Sequence, residues 1–348
     1  MNPWQKVIPN LIKRGLVRRP LNSSTEIRLT RLCTQRCRQC RIYERTTDPP
    51  SMSLESFRIV AQRLREYGAY IGFISGGEAT LVSHLDKILV EARKTFLLST
   101  TLVTGLYIKT ETVKRVGETA LEHDIHIQTS LDGLGEIGDN LRGVKDFAVT
   151  VLKHMEWLSE RRGNSKSLLY ANIVINNQNL DQVPELIRRA NDIGWKTTIG
   201  LYHSLTSTTR DDDTLRLKPG KRLDTLLKFL DHHPDILNLN AFIRGIADFV
   251  NGKPVEFCAF VDAPVLTTRT TIMEDGDIHL CHGGPIGNIF KNNLNEIFHG
   301  DEYRKRIREY RSCAGCWTTC YTQRYLLVHP RSIKELFHNI KKVRSLKK

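Results

Sequence analysis

No run of about eighteen apolar residues occurs in this 348-residue chain, so the sequence offers no membrane-spanning helix. Its first residues lack an apolar signal core followed by a small-residue cleavage site. Low-complexity tracts are missing, tryptophan and methionine number four each, and aromatics make up only 7%. Not one cysteine lies in the 217 residues between Cys40 and Cys258. A disulfide framework is therefore not expected, because a reducing compartment leaves thiols free for metal. What remains is a soluble globular chain, expected in the cytoplasm, with 40% hydrophobic residues and room for one large core and a smaller second one.

Charge is unevenly spread. Residues 1–50 hold 11 Lys+Arg against 3 Asp+Glu, and residues 304–348 hold 13 against 2, within a net charge of +14. Both ends also read as amphipathic. Trp4, Val7, Ile8, Leu11 and Ile12 stand near Lys6, Lys13 and Arg14, and Leu336, Phe337, Ile340 and Val343 alternate with Lys341, Lys342 and Arg344. Such ends suit an anionic surface, whether a peripheral contact with the inner membrane or nucleic acid. They equally suit apolar stripes docked on the fold with lysines in solvent.

From residue 25 to about 232, short β-branched runs alternate with helical patterns, the signature of parallel βα units. The spacing predicts strands at 25–30, 70–75, 99–104, 124–130, 168–175 and 196–202. Helices are expected at 53–67 (capped by Ser53 with Ser56), 83–95, 109–122, 144–161, 180–193 and 218–231. Six units are too few to close an eight-stranded barrel, so the expected fold is α/β, a partial (β/α)6 TIM-like barrel with its site at the C-terminal strand ends. Past about 235 the rhythm changes. A helix near 238–251 precedes Cys258, and two β-runs at 266–273 and 277–281 flank Glu274-Asp275-Gly276, which reads as a hairpin turn. A helix at 292–310 then leads to the last cysteines. The expected divisions are a basic N-terminal extension (1–24), the barrel (25–235), a small α+β domain (236–325) and a basic C-terminal helix (326–348).

All eight cysteines fall in two groups. Cys33, Cys37 and Cys40 follow the first predicted strand. Three thiolates on one loop can hold three irons of a cubane and leave the fourth open, whereas a closed structural zinc site wants four ligands. Zinc with a distant fourth ligand stays open at this point.

CxxxCxxC after the first strand, with Ser75-Gly76-Gly77-Glu78-Ala79-Thr80 after the second, resembles the signature of the radical S-adenosylmethionine (SAM) superfamily. The resemblance implies a 4Fe-4S cluster on Cys33, Cys37 and Cys40 whose open iron binds SAM, and reductive cleavage to a 5′-deoxyadenosyl radical that abstracts a substrate hydrogen. Gly76 and Gly77 would let backbone approach the ligand, and Glu78 would accept a hydrogen bond from the methionine ammonium. Ser130 and Asp132 resemble the residues that hold the ribose. Arg142 resembles the arginine that steadies the carboxylate, and Asn172 to Asn176 the stretch along the adenine. Thr104 ends the third strand where an asparagine is often seen. Gln39 stands where the family usually places an aromatic residue, which Tyr43 could replace only from another angle.

Cys258, Cys281, Cys313, Cys316 and Cys320, with Pro285-Ile286-Gly287-Asn288-Ile289 between, resemble the twitch or SPASM extension. Five cysteines fit one auxiliary 4Fe-4S cluster, with Cys258, Cys281, Cys313 and Cys316 as the first choice of ligands. A zinc ribbon on the same four is the bland alternative. Cys320, if not a ligand, could donate a hydrogen atom to a substrate radical. The family outcome is oxidation, epimerisation or C–C or C–S bond formation assisted by that cluster, with a flavodoxin or ferredoxin as reductant. The substrate is a sugar or other small molecule, a peptide or an anionic lipid. The competing reading is an iron-sulfur or zinc protein that binds nucleic acid or serves as a scaffold without SAM turnover. Asp211-Asp212-Asp213 and His203, His232 and His233 are given no role.

Overall fold

The computed structural model describes residues 7–9, 12, 24–42, 51–205, 208–263, 269–329 and 335. Tyr43 and most of the two basic ends lie outside them. In chain order the elements begin β1 (Ser24–Arg28), α1 (Leu54–Tyr67), β2 (Ile71–Ser75), α2 (Leu85–Thr95), β3 (Ser99–Val103), α3 (Thr110–Glu122) and β4 (His126–Ser130). There follow α4 (Gly135–Arg142), α5 (Phe147–Arg161), β5 (Leu169–Ile175), α6 (Val183–Asp192), β6 (Lys196–Leu201), α7 (Lys221–Leu230) and α8 (Asn240–Val250). The C-terminal part holds α9 (Ala259–Asp262), β7 (Arg269–Ile272), β8 (Asp277–His279), β9 (Gly287–Asn288), α10 (Leu294–His299), α11 (Asp301–Arg311) and α12 (Thr322–Val328).

Two compact units share the chain: Met1–Cys33 with Ile42–Val103 and Phe257–Cys313, and Thr34–Arg41 with Thr104–Glu256 and Ala314–Lys348. In the first unit the strand order is β3-β2-β1-β7-β8-β9. The first four are mutually parallel, and β7–β8 and β8–β9 are antiparallel. The hairpin read from Asp275-Gly276 is present, with Gly276 at φ 87°. Its first strand has a second role, because β7 also pairs along β1 with Ile27 beside Ile272. On one face Ile27, Ile74 and Ile272 are fully buried; on the other Glu26, Arg28 and Arg269 are polar and part-exposed. Helix α1 starts at Ser53, whose hydroxyl accepts from Ser56 N–H at 3.0 Å, and buries Phe57, Val60, Ala61 and Leu64. From the N-terminal stripe, Val7 is buried against Tyr70 and Leu98, whereas Ile8 and Ile12 are exposed.

In the second unit β6-β5-β4 form a parallel sheet whose burial alternates along β4 and β5. Ile127, Ala171, Ile173 and Ile199 are buried, while Gln128, Ser130, Asn172 and Thr198 look to the other, more open face. A parallel sheet covered on both faces would be apolar throughout, so the alternation marks a polar face like a barrel lumen. The outer edge of β6 is capped by residues 235–238: Thr197 N–H donates to Asp235 O at 2.9 Å, and the Asn238 side chain bonds both Ile199 N–H and O. The expected helix at 144–161 begins later, at Phe147. A further short helix, α4, precedes it, and Asp139 joins the two by accepting from Asp146 and Phe147 N–H, each at 2.8 Å. The expected helix at 292–310 is two helices, broken at Gly300.

Candidate active site

Within the first unit, the chain leaving β1 runs beside the loop leaving β2. Gly77 N–H donates to Thr30 O and Glu78 N–H to Leu32 O, each at 2.7 Å. A Cβ on Gly77 would stand 2.3 Å from Leu32 O, so glycine is required there by backbone packing. Gly76 is similarly close, 2.9 Å from Thr30 O. The Glu78 side chain is buried and accepts from Thr80 N–H at 3.1 Å and Thr80 Oγ1 at 2.7 Å, so it also shapes its own turn. Cys33 closes this unit's first segment and is half-buried.

Within the second unit, Cys37 is buried at the centre of a charged group. Arg142, the last residue of α4, donates to Cys37 Sγ at 3.6 Å and pairs with Asp132, while Gln39 Nε2 donates to the same Asp132 carboxylate at 3.2 Å. Asp132 completes its set by accepting from Val174 N–H at 2.7 Å. Backbone bonds from Arg36 to Arg142 O and from Arg38 to Leu141 O, both 3.0 Å, lay the cysteine loop along α4. Burial pushes the Cys37 thiol up, Cys40 adds to the rise, and Arg142 opposes it by favouring the thiolate. Burial works against the Arg142 cation, but Asp132 and Cys37 together hold it firmly protonated.

The structure thus brings together Cys37, Asp132 and Arg142 of the expected set. Ser130 sits at the end of β4 on the open face. Thr104 accepts from Leu106 N–H, and Asn176 bonds Val174 O and Gln178 N–H, so both brace turns at strand ends. Two contributors stand outside the expected set. Gln39 links the cysteine loop to Asp132, and Asp212 of the acidic triplet pairs with Arg38 at 2.7 Å. Segment 208–212 also zips onto the loop through Arg41 N–H to Thr208 O and Arg210 N–H to Gln39 O, each 2.9 Å.

In the C-terminal part of the first unit, Tyr310 bonds the backbone of two cysteines and packs near a third. Its hydroxyl accepts from Cys281 N–H at 3.0 Å and donates to His282 O at 2.9 Å, its carbonyl accepts from Cys313 N–H, and its ring meets Phe260, two residues past Cys258. Burial pushes the Cys258 thiol up, with Cys313 adding to the effect. In the second unit, Cys316 and Cys320 lie on a turn held by Thr318 and Thr322, and Trp317 donates to Phe242 O at 2.9 Å.

Among the described residues no three His, Cys, Asp or Glu side chains converge as ligands of one ion would. A cofactor with donors and acceptors suits the second unit: among the described residues, buried Gln39 Oε1 and Arg142 Nε find no hydrogen-bond partner, and buried polar atoms are ordinarily satisfied.

Comparison with known proteins agrees. Residues 27–227 match the model of the Radical SAM superfamily, and residues 264–317 match the SPASM iron-sulfur cluster-binding domain. The sporulation killing factor maturation protein SkfB of Bacillus subtilis is 25% identical over 171 residues, 49% of this chain and 40% of SkfB. Fe-coproporphyrin III synthase of Methanosarcina barkeri is 27% identical over 161 residues, 45% of this chain and 38% of the synthase. The chain therefore spans about two fifths of each of these relatives. Streptococcus suis SuiB, solved with its precursor peptide SuiA, superimposes with a TM-score of 0.63 at 18% identity, covering 89% of this chain and 70% of SuiB. The partial-barrel α/β fold is shared with SuiB. With more than half its length in the family match, the chain belongs to the radical SAM superfamily and carries a SPASM-type iron-sulfur cluster-binding domain.

Proposed function

We propose that this enzyme modifies a peptide, with Cys33, Cys37 and Cys40 as ligands of the SAM-binding cluster. The observation that carries the site is the buried Cys37–Arg142–Asp132–Gln39 group, in which Arg142 opposes the burial that raises the Cys37 thiol, while Arg142 Nε and Gln39 Oε1 leave a donor and an acceptor for a polar cofactor. A cluster held by these thiolates would supply the electron for reductive cleavage of SAM, and with it the means to take a hydrogen from the substrate. The chain's own part is to orient and shield. Asp132 fixes the Arg142 guanidinium, Arg142 steadies the SAM carboxylate, and Gln39 Oε1 accepts a hydrogen bond from the nucleoside. Gly76, Gly77 and Glu78 hold the methionine end, and Ser130, Thr104 and Asn176 are proposed as further contacts to SAM.

The peptide reading is supported by SkfB, named for maturation of a killing factor, and by SuiB, solved with a precursor peptide. Fe-coproporphyrin III synthase favours a second reading, a small-molecule substrate. Cys258, Cys281, Cys313 and Cys316 hold the auxiliary cluster, leaving Cys320 for hydrogen donation, and a flavodoxin or ferredoxin supplies electrons. The divisions proposed are a barrel over 25–235 and an auxiliary domain over 236–325, in keeping with the two family matches. Among the described residues no helix is long and apolar enough to cross a membrane. A peripheral contact through the basic ends is left to the segments outside the described residues.

The test is anaerobic reconstitution with iron and sulfide, then reduction with SAM. 5′-Deoxyadenosine is expected from the parent and none from a Cys33→Ala/Cys37→Ala/Cys40→Ala variant. Salt-sensitive nucleic-acid binding without 5′-deoxyadenosine would favour the non-enzymatic alternative. Addition of candidate peptides, with mass loss or crosslinking read by mass spectrometry, separates the peptide reading from the small-molecule one.

A further inference from the structure

The chain entering Cys33 is gripped from two sides inside the first unit. On one side stands the Gly77–Glu78 loop, bonded to Thr30 and Leu32. On the other side the turn after β7 sends two carboxylates to Arg31: Glu274 lies 2.5 Å from Arg31 Nε and Asp275 lies 3.2 Å from its terminal nitrogen. The two acids are not equivalent. The Asp275 side chain is 45% exposed, whereas that of Glu274 is 1% exposed. Among the described residues neither Glu274 oxygen accepts a hydrogen bond of normal geometry from another residue, so this buried charge is compensated chiefly by its own backbone N–H and the nearby guanidinium groups. Burial pushes the Glu274 carboxyl up, against the pull of Arg31 and Arg28.

The turn that presents Glu274 is rigid. Gly276 takes φ 87° and donates to Met273 O at 2.9 Å, Asp277 N–H donates to Asp275 Oδ1 at 3.2 Å, and Asn288 Nδ2 donates to Asp275 O at 3.0 Å. An apolar side chain at 274 would stabilise the fold better than a desolvated carboxylate. The carboxylate therefore calls for a reason other than stability, and its partner Arg31 stands two residues before Cys33.

We propose that Glu274 is a positioning residue: through Arg31 it fixes the chain entering Cys33, so that the hairpin leading to Cys281 sets how Cys33 meets iron. The inference rests on Cys33 being a cluster ligand. It joins the two cysteine groups mechanically, since β7 and β8 hold one end of the clamp and the Cys33 loop the other.

The test uses the full chain and Glu274→Gln, which keeps size and removes charge. In the cluster-free chain, deuterium uptake across 29–35 and alkylation of Cys33 are expected to rise roughly tenfold, with Cys258 alkylation unchanged. In the reconstituted chain the variant keeps its iron but shifts the electron paramagnetic resonance spectrum of the reduced cluster and weakens SAM binding roughly tenfold. An Arg31→Gln/Glu274→Gln pair, which leaves no unpaired charge if the single variant folds poorly, is expected to lose no more than either single change. Unchanged uptake at 29–35 with an unchanged spectrum would overturn the proposal, as would a general loss of stability with both readouts intact. If the parent itself shows no SAM-responsive cluster, the enzymatic reading fails, while the deuterium measurement still decides whether the clamp exists.

Discussion

Arg142 and Arg188 each pair with a carboxylate, but the Asp132–Arg142 pair is nearly sealed from water and the Glu185–Arg188 pair lies open on α6. Removing one member of a buried pair strands the other in a low dielectric, at about 3–5 kcal/mol. Arg142→Met is therefore expected to lower the urea midpoint of the cluster-free chain sharply, whereas Arg188→Met leaves it within error because solvent already screens that pair. Equal shifts for the two variants would show that the Asp132 carboxylate is solvated in solution. Glu26 offers a pH signature. Burial alone would raise its carboxyl, yet Arg28, Arg269 and the Ser75 hydroxyl hold it at about 2 against 4.5 unfolded. A depressed folded-state pKa stabilises above 4.5, and that stabilisation is lost as pH falls toward 2. The shift corresponds to about 3 kcal/mol at most. Glu26→Gln should flatten the difference in stability between pH 5 and pH 2.5, measured by denaturant titration. A slope equal to that of the parent would remove the ion-pair account.

At the scale of elements, the close approach of the β1 and β2 loops depends on one missing side chain. A Cβ on Gly77 would meet Leu32 O at 2.3 Å and Arg31 O at 2.6 Å, and both are backbone atoms that cannot rotate away. Gly77→Ala is expected to destabilise by about 1–3 kcal/mol and to weaken SAM binding several-fold, read by thermal unfolding and by calorimetric titration. A fully active, equally stable variant would show the loops to be freer than their hydrogen bonds imply. Elements of this kind were legible in sequence because their signals are local: Ser53 starts α1, Asp275-Gly276 turns the hairpin, and Gly76-Gly77 follows β2. The pairing of β7 with β1 was not legible, since strands some 240 residues apart leave no local mark of their register. Gln39 is noted only for standing where the family usually places an aromatic residue, and Asp212 is given no role, for the same reason. Glutamine and aspartate are ordinary surface residues until the fold brings Asp132 and Arg38 to them.

For the whole molecule, the division of labour between core and iron can be argued from what is buried without any metal. Ile27, Ile74 and Ile272 in the first unit, and Ile127, Ile173 and Ile199 in the second, are sealed by side chains alone. The C-terminal cysteine segments have much less to rely on: α11 buries only Tyr303 and Tyr310, and Cys313 is exposed. A ligand that binds only the folded form stabilises whichever segment it closes, so iron should matter most there. Removing iron with a chelator is expected to leave far-ultraviolet circular dichroism nearly unchanged while deuterium uptake rises selectively at 281–293 and 312–322. Restoring iron and sulfide should return protection and bring the content to about eight irons per chain, the sum of two 4Fe-4S clusters. Cys281→Ser should cut that content to about four and leave the 29–40 segment as protected as in the parent. Global unfolding on chelation would mean that the sheets cannot hold their own cores, and eight irons retained by Cys281→Ser would place the second cluster on other thiolates.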